Sequence, residues 1–125
     1  MERHELGRRT GSFAPGIDVS GKRLIFVSGN VGVDGSGHIV GKGDVAAQSR
    51  QTFKNIEAIL AEAGASLRNV VKITTFLVAM ERYADFAAVR AEVFGDHCPA
   101  SSTVGVASLV SPDFLIEIEA IAVLD

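Results

Sequence analysis

At 125 residues the chain has the length of one domain and can bury a core without disulfides or a structural metal, so residues 1–125 are read as a single unit. Hydrophobic residues make up 47% and the mean hydropathy is +0.28, which is high for a small domain, so part of its surface is expected to be covered by something other than water. The net charge of −3, with no like-charge run longer than Arg8-Arg9, lacks the basic footprint of a nucleic-acid binder, and no apolar run is long enough to span a membrane.

The opening MERHELGRRTGSF is charged and has no apolar signal-like segment, and the single cysteine, Cys98, cannot form an internal disulfide. Both features lead to the expectation of a reducing, cytoplasmic location. Phe13 to Val19 and Arg23 to Ser28 read as a pair of strands joined by a turn at Ser20-Gly21-Lys22. The glycine-rich GNVGVDGSGHIVGKGD that follows contains neither GxGxxG nor GxxxxGK[ST], so it is read as turns around Asp34-Gly35 with a short extended piece from His38 to Val40.

Asp44 can cap a helix that runs to about Ala63, where Gly64 supplies a left-handed stop. Phe53, Ile56, Ile59, Leu60 and Ala63 form its apolar stripe. VVKITTFLV, Val70 to Val78, is β-branched and apolar on both parities, with Val71, Ile73 and Leu77 on one face and Val70, Phe76 and Val78 on the other. A shorter helix is expected from Asp85 to Phe94, with Phe86, Val89 and Val93 on one side and Gly95 at its end. The last strands are Ser102 to Ala107 and Leu115 to Leu124, around a turn at Ser111-Pro112-Asp113. This order defines an α+β chain in which two helices cover one face of a mixed sheet. The central strand needs cover on its second face too, and another subunit is expected to supply it.

Alternation in the last strand places Glu117 and Glu119 on one face with Leu115, Ile121 and Val123. Carboxylates on an apolar face need partners, water or an altered pKa, so the pair reads either as a general acid or base in an interface cleft or as interface glutamates satisfied by backbone or arginine. His4, His38 and His97 have no metal-ligand spacing and no zinc site is expected. Cys98 lacks the context of a nucleophile and reads as an inert thiol, and Ser101 and Ser102 lack a nucleophile elbow.

VSGNVGVD, DVAAQSRQTFKNIEAILAEAGASLRNVVKITTFLV, PASSTV and IEIEAIAV, in that order and at these distances, closely resemble the RidA/YjgF family of reactive-intermediate deaminases, also called the endoribonuclease L-PSP family. The resemblance covers about Gly11 to Val123. It implies a chorismate-mutase-like subunit, a homotrimer with clefts between subunits, and cofactor-free addition of water to the imine tautomer of a 2-enamino acid, releasing a 2-keto acid and ammonia. Carried over residue by residue, it makes Ser28, Gly29 and Glu117 matches to the family's site, Glu117 as the glutamate that positions or activates water. Phe13 stands at the family's early tyrosine, Thr103 at its cysteine and Arg90 at an asparagine of the second helix. Ser101 stands where the deaminases carry the arginine that grips the substrate carboxylate.

A charge-assisted guanidinium–carboxylate contact contributes on the order of 1.5–3 kcal/mol, and one neutral hydroxyl does not replace it. The resemblance therefore implies imine or enamine hydrolysis on a carboxylate-bearing metabolite other than the usual 2-imino acids. A non-catalytic trimeric metabolite-binding protein stands as the alternative, and an endoribonuclease or translation inhibitor as a third. Arg90 reads either as a replacement anchor reaching the cleft or as a solvated arginine on the outer helix face. Ser101→Arg is expected to restore the missing contact.

Overall fold

A computed structural model describes residues 1–125. The elements in chain order are β1 (Glu2–Leu6), β2 (Gly16–Ser20), β3 (Arg23–Val31), α1 (Val45–Glu62), β4 (Val70–Leu77), α2 (Tyr83–Phe94), β5 (Ala100–Gly105) and β6 (Ile116–Leu124), with single 3-10 turns at Leu67–Asn69 and Met80–Arg82. Four strands form the main sheet in the order β3-β6-β4-β5, with β4 and β5 parallel and the other pairs antiparallel. Both helices lie against one face of this mixed sheet, giving the expected α+β architecture. There Phe53, Ile56, Leu60, Phe86 and Val89 pack on Ile73, Leu77, Ile116, Ile118, Ala120 and Ala122 in one core cluster.

The N-terminal expectation is corrected. β2 does not pair with β3; it pairs antiparallel with β1, in a separate two-stranded sheet, while β3 takes the edge beside β6. Pairing with β6 puts Val27 into the core beside Ala120, a burial that a β2–β3 hairpin would not give. Between the sheets, Ala14 makes a parallel bridge to Ala100, and its N–H donates to Pro99 O at 2.9 Å. This bridge ties the segment containing Phe13 to the start of β5.

Helix α1 begins where the Asp44 carboxylate accepts from Ala47 N at 3.0 Å and ends before Gly64, whose φ of +76° is open to glycine without strain. Ile59 departs from its expected place in the stripe: it sits at the flank of the helix and is exposed, while the buried face continues through polar Gln48, Ser49 and Thr52. Gln48 is fully buried, donating to Gly41 O and Asp113 O and accepting from Leu115 N at 2.9 Å. One amide side chain thus fastens two loops to the helix. The close approach depends on Gly32, where an added Cβ would stand 2.9 Å from Gln48 Cα.

β4 carries a register shift between Val70 and Lys72 where it pairs with β6. The extra residue turns Val70 onto the helix-covered face, so that Val70, Ile73, Thr75 and Leu77 are buried together, in place of the grouping of Val70 with Phe76 drawn from strict alternation. The opposite face of the sheet is open in the single chain. Leu24 is 64% and Phe26 71% exposed on β3, and Val104 is 43% exposed on β5.

Candidate functional site

Helix α2 starts two residues earlier than expected, at Tyr83, and this brings Tyr83 and Arg90 onto one face two turns apart. Arg90 is not a solvated surface arginine: it is 2% exposed. Its Nε donates to Ser12 Oγ at 2.9 Å, Nη1 to Ser101 Oγ at 3.0 Å and Nη2 to the Tyr83 hydroxyl at 2.8 Å. The guanidinium carbon also lies 5.2 Å from the Phe13 ring centroid, 5.6 Å from that of Tyr83 and 5.0 Å from that of Phe86, within cation–π range. A cavity of about 290 Å³ opens over this cluster, lined by Phe13, Met80, Tyr83, Arg90, Ser101 and Thr103.

Four of the residues singled out from the sequence, Phe13, Arg90, Ser101 and Thr103, therefore share one pocket. Local structure explains why. The Ala14–Ala100 bridge delivers Phe13, the β4–β5 pairing sets Ser101 opposite Ile73 and Thr103 opposite Thr75 on the helix-side parity, and α2 projects Arg90 across that edge. Ser12, Met80 and Tyr83 were not anticipated. A helix begun at Asp85 leaves Tyr83 off its face, although the seven-residue spacing to Arg90 carries the signal.

Ser28, Gly29 and Glu117 form a second group. Glu117 pairs with Phe76 across the β4–β6 ladder, and Phe76 has the parity opposite to core-facing Thr75 and Leu77, so Glu117 lies on the open face of the sheet. The β3–β6 register shifts between Val27 and Asn30, making Ser28-Gly29 a bulge. A side chain at Gly29 would collide with the Glu117 carboxylate. Glu117 is half-buried, and no side-chain hydrogen bond or ion pair engages its carboxylate. Within one chain the two groups stand on opposite faces, and the Arg90 cavity has none of Ser28, Gly29 or Glu117 in its lining. Glu119, the other half of the carboxylate pair, is exposed.

The remaining candidates lie elsewhere. Cys98 is 1% exposed with its Sγ 3.1 Å from Gly95 O. His97 Nε2 lies 2.8 Å from Arg68 Nη2, while His38 is exposed beside Asp34, whose carboxyl is held below its ordinary pKa by the backbone N–H groups of His38 and Ser36. No helix is long and apolar enough to cross a membrane.

A mixed four-stranded sheet with two helices on one face, a cationic pocket at its β5 edge and a bulge-backed carboxylate on its open face define a subunit of the YjgF type. Comparison with known proteins gives the same answer: the family model described as Endoribonuclease L-PSP matches residues 8–124. The chain belongs to this family, the RidA/YjgF family. It is 41% identical over 112 residues to a RutC family protein of Pyrococcus abyssi, covering 90% of this chain and 86% of that one. It is 37% identical over 116 residues to the 2-iminobutanoate/2-iminopropanoate deaminase of Salmonella typhimurium, covering 90% and 88%. A solved structure of a Rid-family protein of unknown function from Yersinia pestis superposes with a TM-score of 0.88 at 31% identity, over 99% of this chain and 100% of that one.

Proposed function

We propose that this protein hydrolyses the C=N bond of a small imine, or of an enamine through its imine tautomer, to a carbonyl compound and ammonia, without a cofactor, in a cleft between copies of the chain arranged as a homotrimer. The observation that carries the reading is Glu117, a carboxylate with no protein partner, backed by the Ser28-Gly29 bulge on the open face of the sheet. Such a group is suited to take a proton from water as the oxygen attacks the imine carbon, and to return it to the departing nitrogen. The reaction is balanced by one water, whose oxygen becomes the carbonyl oxygen as the C–N bond breaks.

The open face supports a shared cleft. A second copy seated against Leu24, Phe26 and Val104 would remove these side chains from water and bring a Glu117 toward the Arg90 pocket of its neighbour. Family membership supports the reaction class, and the Salmonella relative's name gives a starting substrate. The serine in place of the deaminases' arginine supports a substrate range that extends beyond that relative's. A binding protein with no chemistry is the alternative, favoured by that same serine. An RNA-cleaving role lacks support from a chain of net charge −3.

The test is release of ammonia from freshly generated 2-iminobutanoate and from imines of other oxo acids, measured against the buffer rate, for wild type and Glu117→Gln. The expected result is catalysis on at least one of them, reduced roughly 10²–10⁴-fold in the variant. Wild-type rates no faster than buffer across the series would favour the binding protein.

A further inference from the structure

Arg90 is a fully buried cation with no acidic partner. Each of its three hydrogen-bond acceptors is a neutral hydroxyl, and no ion pair in the chain involves it. Buried charges are ordinarily paired, because desolvating them alone is costly, and three aromatic rings offset only part of that cost. The unpaired charge faces a cavity whose lining contains no carboxylate.

The hydrogen-bond directions sharpen the point. A guanidinium has five N–H groups, and the three contacts above use one each on Nε, Nη1 and Nη2, leaving one on each Nη. Tyr83 and Ser101 both accept from the guanidinium, so their own O–H hydrogens are free to donate elsewhere, and both side chains line the cavity. Ser12 is different, since its hydroxyl already donates to Ala87 O at 3.3 Å. The cluster thus keeps two N–H groups on neighbouring nitrogens without a protein acceptor and two hydroxyls lying on a cation, beside a cavity with Phe13 and Met80 as apolar wall.

We infer that this cluster is an anion anchor delivered by helix α2, in which Arg90 and Tyr83 together hold the carboxylate of a small monocarboxylate whose short apolar side chain lies against Phe13 and Met80. Two N–H groups on neighbouring nitrogens match the two oxygens of one carboxylate. The cavity volume of about 290 Å³ suits a small metabolite. Because Nη1 lies 3.0 Å from Ser101 Oγ, the positive charge ends beside residue 101 even though residue 101 does not carry it. The assignment rests on the proposed hydrolysis for its choice of 2-oxo acids as probes, and its test is independent of turnover.

Tyr83 is the only tyrosine and the chain has no tryptophan, so intrinsic fluorescence reports on this pocket alone. The experiment titrates the full-length protein with 2-oxobutanoate, its methyl ester and inorganic phosphate, following Tyr83 emission and confirming affinities by calorimetry. Wild type is expected to saturate with 2-oxobutanoate and to bind the ester and phosphate at least roughly tenfold more weakly. Arg90→Asn is expected to weaken 2-oxobutanoate by roughly tenfold to a hundredfold. Adding Ser101→Arg to that variant should recover much of the loss, which a merely structural role for Arg90 would not allow. Equal binding of acid and ester by wild type, a comparison that needs no variant, would overturn the anchor, as would unaltered affinity in Arg90→Asn. Phosphate binding as tightly as 2-oxobutanoate would overturn the carboxylate assignment. Carboxylate binding that depends on Arg90 in a protein that hydrolyses no imine would leave the anchor standing and remove the catalytic reading.

Discussion

Gly29 illustrates how much a single position decides. Its backbone does not occupy the left-handed region, so an alanine there meets no conformational penalty, yet a Cβ would enter the space taken by the Glu117 carboxylate. Gly29→Ala is therefore expected to leave the melting temperature little changed while lowering imine hydrolysis by displacing Glu117, an outcome read by thermal melting beside ammonia release. A variant as active as wild type would show that the carboxylate does not need this position. Arg90 carries the opposite lesson about reading a sequence. A helix residue between Val89 and Ala91 shares a face with Tyr83 and Phe86 of the same helix, but gives no sign that Phe13 and the Ser12 and Ser101 hydroxyls, which arrive from separate segments, will enclose it. The same contacts revise the expectation for Ser101→Arg made alone: a second guanidinium would be placed against the first, so the informative change moves the charge rather than duplicating it.

At the scale of elements, α1 is anchored by more than its apolar stripe of Phe53, Ile56 and Leu60, since Gln48 ties Gly41, Asp113 and Leu115 to it. Replacing Gln48 with Leu keeps bulk but strands Leu115 N–H and two carbonyls in the interior. The expected loss is roughly 2–4 kcal/mol in urea unfolding, and a loss below about 0.5 kcal/mol would contradict the role given to this side chain. Helix α1, its Asp44 cap and its Gly64 stop were legible because caps and periodicity are local. The pairing of β2 with β1 was not, because MERHELG has no alternating apolar pattern, and its pairing depends on a partner that the chain supplies only after the turn through Pro15. The bulges at Val71 and Ser28-Gly29 were equally hidden, since strict alternation is assumed wherever no proline or turn residue breaks a run.

For the whole molecule, hydropathy and the two-sided apolar strand indicated a missing neighbour, and the open face with Leu24 and Phe26 gives that indication a location. Light scattering is expected to give three times the 13.1 kDa chain mass for wild type and a smaller species for Phe26→Asp, which would bury a charge in the contact. A wild-type monomer at micromolar concentration would remove the shared cleft. What alternation along single strands left unread is that the Arg90 pocket and Glu117 occupy opposite sheet faces, a relation that requires the strand register. The central claim, one catalytic cleft built from two copies, is tested most directly by complementation. Arg90→Asn and Glu117→Gln chains, each defective alone, are mixed, unfolded, refolded together and assayed for ammonia release from the best imine substrate of the wild type. A cleft shared between copies predicts that every mixed trimer regains one intact site and that activity reappears well above either parent. A refolded mixture that forms trimers yet stays at the level of its parents would contradict the account.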